Sequence, residues 1–196
     1  MSRTFLTGCA ALAVAALLTQ PAGAQTISGT VNVSGFVQAQ CGTVVGSSVF
    51  SGSIGLGQLA QSNGTLLTTL TQSNSGAPAG TTALELGCST VNSTVTLSAT
   101  ELTTSTAIPS NSFSNTIDYT AEVEITMAAG GFTHVTYTTA QAAPAPTVQT
   151  VVGQFAAVPE NFEIKVYGLN AVNGASSILV AGTYTGVITI GVATAA

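Results

Sequence analysis

Apolar and polar residues alternate along most of this chain with a period of two, the spacing of strands that bury one face, and helical periodicity is almost absent. The clearest run is 117–127 (IDYTAEVEITM), which turns Tyr119, Ala121, Val123 and Ile125 to one face and Asp118, Glu122 and Glu124 mostly to the other. Gly130 and Gly131 predict a hairpin turn from it into a second strand over 132–138. Residues 162–169 alternate Phe162, Ile164 and Val166 against Glu163, Lys165 and Tyr167, and 93–100 place Val95 and Leu97 together. Further strands are predicted over 25–40 (broken at Ser34 and Gly35), 65–70, 81–88 and 182–192, with short ones inside the Gly- and Ser-rich stretch 42–57. Residues 73–80, 101–114, 141–147 and 170–177 read as connections from their Ser, Asn, Gly and Pro content. Short strands parted by such turns predict an all-β fold, an antiparallel sandwich with Greek-key connections.

The N-terminal region adds a compartment. Arg3 is followed by an apolar run over 10–18, then Pro21 and the small residues Ala22, Gly23 and Ala24. This predicts a secretory signal peptide over 1–24, cut between Ala24 and Gln25, with an apolar run too short to span a bilayer. Cys9 falls inside that segment, ahead of most of the apolar run that a lipoprotein box should follow, so it reads as discarded with the leader. The residues left form a single domain's worth of chain: a segment 25–37 leading into the first strand, and one β-sandwich over 38–196.

Charge narrows the partners. Beyond the leader, Lys165 is the only Lys or Arg, set against Glu85, Glu101, Asp118, Glu122, Glu124, Glu160 and Glu163. One cation cannot neutralise a phosphate backbone, so neither nucleic acid nor an anionic membrane surface is an expected partner, and with an apolar run too short to span a bilayer no direct membrane insertion is expected. Cys41 and Cys88 remain as an even pair in an oxidising compartment and predict a disulfide, a closure worth about 4 kcal/mol on the chain-entropy model. A Cys-based metal site lacks partners, since His134 is the single histidine.

At the start of the exported chain, Ile27, Gly29, Val31 and Val33 alternate strictly with Thr26, Ser28, Thr30 and Asn32, and no Pro interrupts the backbone donors. Such a strand can pair within its own sheet or be lent to another molecule. The residues alone leave both open.

Three segments together carry a resemblance: GTVNVSGFVQAQC over 29–41, ALELGCSTVNSTVTLSA over 83–99, and the terminal GTYTGVITIGV over 182–192. In their order along the chain they resemble the spore coat protein U family, which includes pilins of the archaic chaperone-usher class. The resemblance implies an immunoglobulin-like, pilin-type sandwich that lacks one strand and is completed by a donor. In it Ile27, Gly29, Val31 and Val33 would insert into the groove of a homologous or identical pilin subunit. A periplasmic chaperone would cover that groove first, an outer-membrane usher would exchange it, and the product would be a secreted surface fibre or coat serving adhesion or biofilm formation.

Catalysis finds little support, and no cofactor is expected. The chain has neither a Gly-x-Ser-x-Gly elbow nor a glycine-rich phosphate loop, and His134 reads as a surface histidine on a strand beside a turn. Glu122 and Glu124 read as a solvated acidic face, because a glycosidase cleft is usually lined with aromatics and this chain has no Trp. A calcium site built from Asp118, Glu122 and Glu124 is disfavoured, since spacing along one strand splays the carboxylates. The alternative to a fibre subunit is a self-contained secreted sandwich that binds a glycan or surface ligand through loops 105–115 or 141–150.

Overall fold

The computed structural model describes residues 34–36, 38, 40–43, 52–71, 80–140 and 145–195. The chain divides into two units, Met1–Phe36 and Val37–Ala196. The second carries all the elements described below. Ala24, Gln25 and the predicted donor positions Ile27, Gly29, Val31 and Val33 lie outside the described residues.

The elements follow in chain order as β1 (Cys41–Thr43), α1 (Thr68–Thr71), β2 (Gly80–Leu84), β3 (Leu86–Cys88), β4 (Asn92–Ala99), β5 (Leu102–Thr103), β6 (Phe113–Ser114), β7 (Thr116–Thr126), β8 (Phe132–Thr138), β9 (Thr147–Val152), β10 (Phe162–Ala171), β11 (Ile178–Leu179) and β12 (Ile188–Thr194). The fold is all-β and its sheets are antiparallel, apart from the two-residue parallel pairing of β11 with β6. One sheet runs β2-β10-β7, with β8 and the short β5 sharing the far edge of β7. The other runs β12-β4-β9. Their inner faces meet as a sandwich, with Val95, Leu97 and Val151 from the second sheet against Val123, Ile125, Val135, Phe162 and Ile164 from the first.

Alternation builds the long strands as predicted. Ala121, Val123 and Ile125 of β7 are fully buried, and Glu122 and Glu124 between them are only partly covered. Gly130 and Gly131 both take positive φ (89° and 82°), which L side chains adopt reluctantly, and they turn β7 into β8. Cys41 stands directly opposite Cys88 in the β1–β3 register, and the two are joined as a disulfide.

Several boundaries differ from the sequence expectation. The predicted strand 81–88 breaks at Glu85: β2 pairs with β10, whereas β3 pairs with β1. Asn161, fully buried, accepts from the Leu86 amide (2.9 Å) and donates to the Leu86 and Ala156 carbonyls (both 2.7 Å), satisfying the backbone where the chain changes partner. Residues 65–70 contribute isolated bridges at Thr65 and Leu66 and then the turn of helix α1, not a strand. Residues 147–152, of which 147–150 read as the end of a loop and none as a strand, form β9. Its TVQTVV pattern has one deeply buried residue, Val151, too little apolar signal to stand out, and the backbone pairing with β4 decides the matter. The last strand begins at Ile188, not at residue 182, because Thr185 bridges Thr103 instead of continuing the β12–β4 ladder. Asp118 is buried, contrary to its expected outward position, and accepts a hydrogen bond from the Thr139 hydroxyl (3.1 Å). The β7–β10 register slips between Tyr167 and Asn170, next to this position.

Candidate functional site

The two sides of the sandwich are finished differently, and the difference makes a cavity. Where β8 and β9 approach, the Thr147 hydroxyl donates to the Thr136 carbonyl (2.9 Å), and Met127 bridges Phe155. On the opposite side β2 ends one sheet and β12 ends the other, and among the described residues no further strand extends either ladder, although β1 lies close to β12. Between these edges lies a cavity of about 1060 Å³. Its walls include Leu84, Ile164 and Val166 from the first sheet and Ile188 and Ile190 from the second.

Two segments without regular strand structure, 52–59 and 181–187, line the rest of the cavity. Ile54 and Leu56 in the first are half-buried and touch the core. Gly80 is required beneath them, since a Cβ there would run into the Ile54 side chain. Tyr119 is buried on the cavity wall, and burial, with a smaller contribution from the neighbouring Tyr137, pushes its phenol up to about 12. Its hydroxyl therefore stays neutral at any physiological pH. The chemistry on offer in the cavity is mainly apolar contact, with Ser53, Gln58, Thr183 and Thr185 adding polar groups, together with strand edges.

The outer face of the first sheet carries the chain's charged cluster. Glu122 and Glu124 of β7 lie between His134 of β8 and Lys165 and Tyr167 of β10. Contacts run along diagonals of the register. His134 stands opposite Glu124, yet its Nδ1 is 3.1 Å from Glu122 Oε1 and 3.6 Å from Glu124 Oε2. Lys165 stands opposite Glu122 and donates from Nζ to Glu124 Oε2 (2.8 Å), with Glu163 Oε2 at 3.4 Å. The like charges Glu124 and Glu163, directly opposed, are thus bridged by one ammonium. Partial burial pulls the Lys165 ammonium down, but the hydrogen bonds and charges of Glu124 and Glu163 outweigh it and hold the group above its ordinary value. Tyr167 donates to Glu122 Oε2 (2.8 Å). Burial first, then that hydrogen bond and the Glu122 charge, push its phenol up to about 12.

Of the residues singled out in the sequence, Cys41 and Cys88 meet, and Glu122 and Glu124 share one face with His134 beside them. Asp118 does not join them: it is engaged by Thr139. Residues 105–111 are exposed, and 141–144 lie outside the described residues. Sequence reading missed the parts played by Lys165 and Tyr167. Their shared outward parity with Glu163 was visible, but which strand would lie beside β7 was not. No protein-family model, curated protein or solved structure matches the chain. The likeness to the spore coat protein U family therefore rests on the three segments quoted above.

Proposed function

We propose that this chain is an exported structural subunit of a surface fibre or coat, and that it assembles by accepting an extended strand from another copy into the cavity between β2 and β12. The observation that carries the reading is the coincidence of two things in one place: a predominantly apolar cavity of about 1060 Å³ and the terminal strands of both sheets beside it. A strand placed there would bury alternate side chains in the cavity and extend a ladder at the edge, the two contributions that strand addition combines. The donor is the segment bearing Ile27, Gly29, Val31 and Val33, whose alternation suits such a groove. The sandwich is then an incomplete immunoglobulin-like domain of the pilin type. A periplasmic chaperone covers the groove before an outer-membrane usher exchanges it, and adhesion or biofilm formation is the outcome.

Export is supported by the Cys41–Cys88 disulfide, which belongs to an oxidising compartment. Among the described residues, no helix is long and apolar enough to cross a membrane.

The test is non-reducing electrophoresis without boiling, on protein expressed with and without a candidate periplasmic chaperone. Heat-labile multimers are expected, and both deletion of 25–33 and Val31→Asp should abolish them while leaving the circular dichroism of the sandwich intact. A synthetic peptide of residues 25–33 should bind the deletion variant, and its Val31→Asp counterpart should not. A stable monomer with no chaperone dependence and no affinity for the peptide would overturn the reading and turn attention to ligands of loop 105–115.

A further inference from the structure

We propose that Glu122, Glu124 and His134 form a binding site for a transition-metal dication of the zinc class on the outer face of the β8-β7-β10 sheet. The site is independent of strand donation, because its side chains point away from the face that lines the cavity. Donor types are the first argument. One imidazole nitrogen and two carboxylate oxygens are ligands that zinc accepts, and three protein ligands with one open position are the pattern of sites that keep a water or an exogenous ligand.

Distances are the second. Bonds of about 2.1 Å arranged tetrahedrally put neighbouring ligand atoms ~3.4 Å apart. The His134 Nδ1 separations of 3.1 Å to Glu122 and 3.6 Å to Glu124 bracket that edge, and all three ligand atoms lie within 4.8 Å of one another. The groups converge without an ion because β7 and β8 hold them on one face in fixed register. The two carboxylate oxygens, up to 4.8 Å apart, would have to close by about 1.4 Å towards the tetrahedral edge to hold a dication.

Charge is the third. Of the three carboxylates Glu122, Glu124 and Glu163, the ammonium of Lys165 pairs with the last two, and an imidazole that ligates through Nδ1 is neutral. The patch therefore carries about two uncompensated negative charges, which a dication balances. Outer partners are also in place. The Tyr167 hydroxyl holds Glu122 Oε2, leaving Oε1 turned towards His134, the kind of support that orients metal ligands. Lys165 acts against the metal, since its ammonium occupies the Glu124 oxygen nearest to His134. This sets an affinity that is moderate and tunable. The His134 side chain is 48% exposed, so the ion has a path in and the fourth position faces solvent.

The experiment is titration of the chelator-treated full chain with zinc chloride, read by calorimetry and by NMR of the imidazole. That readout is specific because His134 is the only histidine in the chain. One equivalent is expected to bind in the micromolar range and to shift the imidazole signals. His134→Gln and Glu122→Gln should each weaken binding about tenfold or more, and Tyr167→Phe severalfold. Lys165→Met should tighten it, whereas the same groups acting only as an ion ladder give no zinc response in any variant. Thermal melting should rise with zinc in the parent chain and not in His134→Gln. Since these side chains lie on the outer face, the variants should keep the parent's circular dichroism. Absence of binding at millimolar zinc, or binding undiminished in His134→Gln, overturns the site.

Discussion

One strand, β7, serves two regions that are finished in different ways. Its C-terminal half gives Val123 and Ile125 to a core walled by β4, β8, β9 and β10, where those two residues, Val95, Leu97, Val135 and Phe162 have no exposed surface. Its N-terminal half gives Ile117, Tyr119 and Ala121 to a second cluster. There the cover is Leu66, Leu179 of the two-residue β11 and the partly buried Ile54, Leu56 and Tyr184, mostly from connections, with only Ala99 of β4 and Ile188 of β12 from the facing sheet. The alternation is the same in both halves. A buried strand face records that something covers it, and says nothing about whether the cover is a sheet or a strap with a cavity beneath.

The contrast can be broken or sharpened by three measurements. The largest effect is expected in the sheet-walled core. Phe162 is fully buried and meets Phe155 edge-on with ring centroids 4.9 Å apart, so Phe162→Ala should cost about 3–5 kcal/mol in urea unfolding. A loss below 1 kcal/mol would mean that this core is no tighter than the other.

Alkaline pH acts next, through Tyr119 on the cavity wall and Tyr167 and Lys165 on the outer face. Each holds its proton more tightly folded than unfolded, so its contribution is complete below the unfolded value near 10 and is lost as pH rises through the folded value. For both tyrosines that folded value is about 12. Unfolding free energy should therefore fall between pH 10 and about 12, and Tyr119→Phe should flatten the decline. An unchanged slope in that variant would place the alkaline sensitivity outside the cavity wall.

Leu56→Ala should have the smallest effect, about 1 kcal/mol, since the side chain is only half-buried and borders space already empty. A cost equal to that of Phe162→Ala would show that the 52–59 segment is an integral wall of the fold and not a loose cover.

Much of the sandwich was legible beforehand because its strongest signals are local. The parity of 117–127 and 162–169 and the paired glycines at 130 and 131 each constrain a few neighbouring residues through backbone geometry. β9 escaped notice because Val151 is its one deeply buried apolar residue. Asp118 escaped because the Thr139 hydroxyl that makes its burial tolerable is contributed by a different strand end.

The sequence by itself determined that the chain forms strands and which faces of the long ones are apolar, since a period of two is a property of the chain read in order. Only the tertiary structure decided which strands lie side by side. That choice put His134 and Lys165 on opposite flanks of Glu122 and Glu124, and left the edges of β2 and β12 facing a shared cavity. Neighbours across a sheet are selected by register and by the packing of one sheet on another, and both join residues too far apart along the chain for any local pattern to link them.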